Sequence, residues 1–504
     1  MRIGVVVDER HVRRWHRTAI EQIERLDSCE VILLAGERGE QRAGGALHRA
    51  YQRADRRVFG SDGDPVARVP LGRATLPLAE IASQDLDVVL CLASEVSPGA
   101  LARHARQGAW YLHGEEQLLG RMCNGDPVAP VTLRAVTPAN GERILYRSVI
   151  QADRVSLHRS RCRVARRAAY LPARRLDSPG EAGEAEEVSD PGRPGNGMML
   201  RLLWRIGSGV LRRRVSGWLR ETQWFIAYRR GSASPVPIMP PPGRFYADPF
   251  LFRRDGRRYV FFEDYDWASE RAVIRYLEID EQGQHQPPQL ALRQDCHLSY
   301  PLVFAEGEDV YMLPETAGHQ TVELYRAVRF PSEWALDKVL LSGVTATDAT
   351  PLHHEGRWWL FVALAVDGAR ATDELFLFSS DSLHGSWEPH PLNPVVSDVW
   401  SARPAGRIFV RDGRLIRPAQ DCSEAYGGRL VFNRIDVLSP SDYRETPIGA
   451  IEPERDTGNL RTHSFDSDGT YEVLDGLRMR PRVALAGLPR AASSPRWRRI
   501  GLDT

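Results

Sequence analysis

Lysine is nearly missing from this chain: among its 67 basic residues only Lys338 is a lysine. A Schiff-base lysine or the lysine of a phosphate-binding loop is therefore excluded unless Lys338 supplies it. Paired cysteines are missing as well. The six cysteines, Cys29, Cys91, Cys123, Cys162, Cys296 and Cys422, are scattered without a C-x-x-C spacing, which argues against a disulfide framework and a zinc site and predicts a reducing compartment. No run of eighteen consecutive apolar residues occurs, and MRIGVVVDER lacks the charged region, long apolar run and cleavage site of a secretory leader, so a cytoplasmic protein is expected. Excess charge of one sign is also lacking. With 67 Lys+Arg against 66 Asp+Glu and a formal net charge of +1, neither a basic nucleic-acid coat nor an acidic disordered chain is expected. No basic stripe interleaved with aromatics marks the C-terminal half, so nucleic acid is not an expected partner. The carboxylates lack the spacing of a calcium loop, and no metal or cofactor is expected.

What is present is organised in segments. A chain of 504 residues exceeds the ~250–300 at which single cores stop growing, so several domains are expected. Over residues 1–175, Ile3-Gly4-Val5-Val6-Val7, Val31-Ile32-Leu33-Leu34-Ala35 and Val88-Val89-Leu90-Cys91-Leu92 read as short buried strands. Helical spacing runs between them over Trp15 to Leu26 and Pro98 to Gln107. This βαβ pattern predicts an open, doubly wound α/β domain. Residues 176–221 form a Gly/Pro/Glu-rich linker followed by a basic amphipathic segment. From Met198 to Arg220 that segment mixes Leu, Trp and Val with arginines and contains no acid. Two readings stand for it: it lies on an anionic membrane surface, at the inner face of the membrane, or it packs on its neighbours and bridges two domains.

Residues 222–482 carry an internal repeat. The segments ADPFLFRRDGRRYVFFE from Ala247, SYPLVFAEGEDVYMLPE from Ser299, DATPLHHEGRWWLFVA from Asp348 and SARPAGRIFVRDGRLIRPA from Ser401 align on Pro249, Pro301, Pro351 and Pro404, and a fifth copy from Thr462 lacks the proline. Each unit has a charged-Gly turn followed by an apolar strand, which is hairpin chemistry. Five units near fifty residues predict a five-bladed β-propeller, closed by the strand 222–230. Residues 483–504 read as an Arg/Pro-rich tail. The whole is thus expected to be multidomain, an N-terminal α/β domain followed by an all-β propeller.

In a propeller the first strand of each blade lines the channel, so the residues before each proline converge: Asp248, Tyr300, Thr350 with Asp348 nearby, Arg403, and His463 in the fifth unit. Carboxylates accept sugar hydroxyls, and rings such as Tyr246, Tyr265, Trp267 and Trp400 stack on pyranose faces. Glu315, after an apolar strand, and Gln420, Asp421, Glu424 and Tyr426, in a Gly-bearing polar segment, are expected at the rim.

Ala247-Asp248-Pro249 and Thr347-Asp348-Ala349-Thr350-Pro351 resemble two blades of the five-bladed glycosidases of the arabinanase/β-xylosidase and invertase type. The resemblance implies Asp248 as general base and Asp348 as the group that orients and tunes the acid. The family's acid is a Glu in Glu-Gly-Pro, and Ala402-Arg403-Pro404 stands there, which leaves the acid to Glu315, Asp421 or Glu424. Otherwise the donor carries a nucleotide or lipid phosphate as leaving group, a partner for Arg403. Tyr246-Ala-Asp-Pro-Phe, Leu298-Ser-Tyr-Pro-Leu-Val-Phe, Tyr311-Met-Leu-Pro-Glu-Thr and Gly356-Arg-Trp-Trp-Leu-Phe resemble the propeller domain of plant glucosamine inositolphosphorylceramide transferases and of bacterial polysaccharide-assembly proteins. This implies a glycan, sugar nucleotide or glycolipid as partner.

Asp87-Val-Val-Leu, Gly108-Ala-Trp-Tyr-Leu-His113-Gly and Val131-Thr-Leu-Arg with Ile144-Leu145-Tyr146 resemble folate-dependent formyltransferases. His113 matches that family's His, while Tyr111 and Asn140 replace its Asn and Asp, so a degenerate domain is implied. Three functions follow: a protein of surface glycan or glycolipid biosynthesis whose propeller cleaves or transfers a glycosyl group, a non-catalytic glycan-binding scaffold, and a formyltransferase on an amino-sugar nucleotide.

Overall fold

A computed structural model of the chain describes residues 1–8, 11–36, 45–93, 96–139, 141–177, 183–184, 195–366, 368–481 and 497–500. The chain divides into two compact units, Met1–Val210 and Leu211–Thr504.

In the first unit the apolar runs become the strands Arg2–Asp8, Glu30–Gly36 and Val88–Cys91. Alternation sends Val5 and Val7 to one face of the sheet, against Trp15, Ala19, Ile20 and Ile23 of the helix Arg14–Glu24. Val6, Leu34 and Val89 go to the other face, against Ile81 and Leu101. These three strands and Ala109–His113 pair in parallel, as the βαβ pattern predicts. The sheet then departs from it. Val128–Thr137 runs antiparallel to Ala109–His113 and forms a hairpin with Gly141–Gln151. A parallel crossover needs a dozen or more residues, and the link between Thr137 and Gly141 is far shorter, so the sheet is mixed. Asn140, together with most of the stretch 176–197, lies outside the described residues. The helix Asn196–Leu219 follows, and among the described residues no helix is long and apolar enough to cross a membrane.

The second unit is a five-bladed propeller. Blade one comprises Arg244–Arg254, Arg257–Asp266, Arg271–Ile279 and Gln289–Leu292; blade two Ser299–Glu306, Asp309–Thr316, Thr321–Arg329 and Glu333–Ser342. Blade three comprises Ala346–His354, Arg357–Leu364, Leu375–Ser380 and Glu388–Pro389. In blade four, Arg403–Pro404 and Phe409–Arg411 share the place of a first strand beside Arg414–Asp421, followed by Arg429–Leu438 and Tyr443–Pro453. Within the stretch read as a tail, Trp497–Ile500 pairs on the edge of Tyr443–Pro453. Blade five closes the ring from both ends of the domain: Arg220–Arg230 pairs along its length with Tyr471–Pro481. The expected closing strand is therefore the observed one.

The charged-Gly turns hold the hairpins. Asp255-Gly256, Glu355-Gly356 and Asp412-Gly413 all have positive φ at both residues, the signature of a two-residue turn that follows the strand twist. In blade two the pairing of Glu306 with Asp309 puts Gly307 and Glu308 at the turn, one residue later than the expected Glu306-Gly307. Arg407, in blade four, ties its blade to three others around the axis. Its Nη2 donates to the carbonyls of Leu251 (3.3 Å) and Val303 (2.8 Å), and its Nε to Asp466 (3.2 Å).

Candidate active site in the propeller channel

The first strands of blades one to three break register at the same place, between Ala247 and Phe250, Ser299 and Leu302, and Thr347 and Thr350. Each bulge sets one residue in the left-handed region: Asp248 (φ 50), Tyr300 (φ 49) and Asp348 (φ 54). A bulge re-aims its side chain, and here it does so at equivalent positions of three blades. The repeat therefore aligns Asp348, not Thr350, with Asp248 and Tyr300. Pro351 lies two residues beyond the position of Pro249 and Pro301, which Ala349 occupies.

Two linked groups of side chains result. In the first, Asp248 accepts from the Ser464 hydroxyl and from the Tyr300 N–H (3.3 Å), and its Oδ1 lies 3.2 Å from His463 Nε2. The other ring nitrogen of His463 lies 2.7 Å from Asp475. In the second, Arg403 donates to both oxygens of Asp348 (2.6 and 3.3 Å), Gln420 donates to Asp348 (2.9 Å), and Arg403 stands 3.8 Å from Glu315. The Tyr426 ring joins the groups: Arg403 lies 4.9 Å over it and the His463 ring is 5.1 Å away.

Their protonation states diverge. Burial opposes charge on His463, but Asp475 and Asp248 on either side push its pKa up to about 10, so it is an imidazolium at neutral pH. Burial also opposes charge on Asp248, yet His463 and Ser464 hold its pKa below the usual carboxylate value. Burial and the neighbouring Asp348 push Glu315 up to about 8, against the pull of Arg403. Oε2 of Glu315 is buried without a hydrogen-bond partner. Burial similarly raises Glu263 to about 7, against the pull of His297 3.3 Å away. An ionised carboxylate thus shares the channel with two carboxyl groups that retain protons near neutral pH, the separation that acid–base pairs require.

Of the expected site residues, Asp248, Asp348, Glu315, Arg403, Gln420, Tyr426 and His463 are brought together. Tyr300 is fully buried. Its hydroxyl is tied to Thr350 (2.9 Å) and its ring to Phe250, so it supports the channel and is not a sugar-facing ring. Asp421 follows Gln420 on a strand and points the other way. It accepts from Ser423 N–H and Arg429 Nε, and lines a separate cavity of about 500 Å³ with Glu424, Glu452 and Arg455. Glu424 pairs there with Arg455. Trp267 packs edge-on against Tyr265 and Phe245, and Tyr265 in turn approaches His297.

Sequence reasoning missed Glu263, His297, Ser464 and Asp475. Glu263 carried a signal, since VFFE and MLPE end aligned units and Glu263 is the blade-one counterpart of Glu315. Asp475 carried none. Three clusters of described residues bring ligand-type atoms within 4.8 Å of one another: Asp248, His463 and Asp475; Asp64, His158 and Cys162; and Asp295, Cys296 and His319. In the channel, both nitrogens of His463 face carboxylates, 3.2 Å from Asp248 and 2.7 Å from Asp475, so a cation there would compete with the imidazolium charge.

In the first unit, His113 Nδ1 pairs with Glu116 and Nε2 lies 2.9 Å from Gln117, while the Tyr111 hydroxyl donates to Glu142 (2.6 Å). His113 lines a cavity of about 310 Å³ with Asp8, Arg13, Cys91 and Glu115.

Fold and site together define a five-bladed propeller whose channel gathers buried carboxyls of opposite protonation bias. Within it, residues 222–467 match the family model described as glucosamine inositolphosphorylceramide transferase 1, N-terminal. The chain is 38% identical over 252 residues to the glucosamine inositolphosphorylceramide transferase 1 of Arabidopsis thaliana, an alignment covering 47% of this chain and 33% of the relative. It is 34% identical over 252 residues to that of Oryza sativa subsp. japonica, covering 47% and 34%. The chain thus spans about a third of the length of the curated relatives it matches. Similar solved structures include a family 117 glycoside hydrolase of Zobellia galactanivorans (TM-score 0.35, 13% identity, 51% of this chain and 90% of that one). The catalytic domain of a Coprinopsis cinerea α-L-arabinofuranosidase is another (TM-score 0.36, 14% identity, 50% and 97%).

Proposed function

We propose that the propeller binds a glycan or glycolipid in its channel and cleaves or transfers a glycosyl group. Three residues carry this reading. Glu315 gives its proton to the departing glycosidic oxygen as the bond to the anomeric carbon breaks. Asp248 takes the proton of the incoming hydroxyl or water, or attacks the anomeric carbon itself. Asp348, fixed by Arg403 and Gln420, positions Arg403 near Glu315 and favours the protonated acid by its charge. The observation that carries the reading is the opposite bias of two channel carboxyls: Asp248 is held ionised by His463 and Ser464, and Glu315 is held protonated with one oxygen free of hydrogen bonds. The match to proteins named as glucosamine inositolphosphorylceramide transferases supports the substrate class.

A second reading, a glycan-binding scaffold without turnover, is favoured by one specific observation. Asp248 is buried, and Ser464, His463 and the Tyr300 N–H already occupy its two oxygens. A formyltransferase activity has no support among the proteins the chain resembles. A cytoplasmic setting belongs to the proposal. The deciding experiment incubates wild type, Asp248→Asn and Glu315→Gln with a panel of aryl glycosides, sugar nucleotides and glycolipids, with binding measured in parallel. Turnover lost in both variants while binding persists supports catalysis. Binding without turnover in wild type makes the channel a recognition site.

A further inference from the structure

The helix Asn196–Leu219 has two apolar faces, and among the described residues only one of them packs into a core. Met199, Leu202 and Ile206 pack into the core of the first unit. Leu200, Trp204, Leu211 and Trp218 recur at spacings that fall within an arc of about 40° on a helix of 3.6 residues per turn. This second stripe runs for about 27 Å along the axis at 1.5 Å per residue. Its members are 59%, 78%, 64% and 77% exposed, and Leu203, toward one flank of the stripe, is exposed too. Exposed apolar surface of this extent, ordered on one face, marks an interaction site.

The charge pattern names the occupant. The helix contains no Asp or Glu, and Arg201, Arg205, Arg212 and Arg214 are exposed along it. Tryptophans settle at the headgroup level of a bilayer and arginines at lipid phosphates. The helix is not apolar enough to cross a membrane, which leaves an in-plane position with the stripe sunk into the acyl boundary. We infer that this helix docks the protein on an anionic lipid surface, its Leu/Trp stripe inserted and its arginines on the phosphates. The inference is independent of the chemistry proposed for the channel, although a glycolipid substrate would be presented on such a surface.

Cosedimentation of the full chain with vesicles tests it, using phosphatidylcholine alone and phosphatidylcholine mixed with phosphatidylglycerol. The protein is expected to bind the mixed vesicles, to leave the neutral ones in solution, and to bind less in high salt. The double variant Trp204→Ala/Trp218→Ala is expected to lose about ten-fold or more in partitioning. Arg201→Gln/Arg212→Gln/Arg214→Gln is expected to lose about five-fold per arginine. Both should keep the wild-type melting temperature, because the altered side chains face solvent. Either variant suffices if the other fails to fold. Equal binding to neutral vesicles, no binding to anionic ones, or self-association that the Trp variant abolishes, would each overturn the inference.

Discussion

Glu315 and His463 are both raised in pKa for opposite reasons, a carboxyl that burial keeps neutral and an imidazole that two carboxylates keep charged. Glu315→Gln is expected to lower turnover of substrates with poor leaving groups by about 10²–10⁴-fold and to spare substrates with good ones, as loss of a general acid does. Activity in wild type should fall as pH rises through about 8, where Glu315 loses its proton. A pH–rate profile on both substrate types checks both statements. Stability moves in the same direction. The pKa of His463 is about 10 in the fold against 6.5 ordinarily, so its contribution is complete below about 6.5 and is lost as pH rises through about 10. Glu315, raised to about 8 from 4.5, likewise contributes below its unfolded pKa and loses that contribution through about 8. The thermal unfolding midpoint is expected to drop between neutral pH and pH ~10, with a shallower drop in His463→Gln. A flat midpoint across that range would refute the charge assignment.

Strands deliver these side chains only because each element is bent at a defined point. The left-handed residues Asp248, Tyr300 and Asp348 sit at the inner bulges of blades one to three, and blade four replaces the bulge by a break in its first strand. That break depends on Gly406. Its φ is +149, and a Cβ there would come 1.8 Å from the Phe465 carbonyl oxygen. Gly406→Ala is accordingly expected to destabilise the propeller by at least ~2 kcal/mol through clash and strain. The Arg407 clamp acts across elements. Arg407→Ala leaves buried Asp466 without its cation and is expected to cost about 3–5 kcal/mol, as breaking a buried pair does. Denaturant titration of both variants measures the losses, and wild-type midpoints would contradict the roles assigned.

At the scale of the molecule, closure by Arg220–Arg230 makes the propeller one cooperative body, with the strand between Val236–Ile238 and Tyr471–Pro481. Ala227→Pro removes a ladder hydrogen bond in that inner position. It is expected to lower the calorimetric transition of the whole second unit and not to split it, at a cost of about 3 kcal/mol or more. The ring was legible in the sequence because hairpin turns and apolar strands recur at nearly constant spacing. So was most of the site, because repeat-equivalent positions line the axis. Proline as alignment anchor misled by two residues in blade three, since Pro351 follows the bulge where Pro249 and Pro301 lie within it. Asp421 stands apart from Gln420 because strand alternation turns it the other way, toward Arg429. Asp475 was invisible because it belongs to a non-repeated pair with His463, made within the hairpin of blade five where Phe465 pairs with Leu474. In the first unit, apolar runs identified the parallel strands, and the link between Thr137 and Gly141 made the later pair a hairpin.

The measurement closest to the central claim is the protonation state of Glu315, read by infrared difference spectroscopy of wild type against Glu315→Gln over a pH series. A carboxylic acid band is expected at neutral pH, absent from the variant and titrating near pH 8. A Glu315 already ionised well below neutral pH would contradict it and leave the channel without its acid.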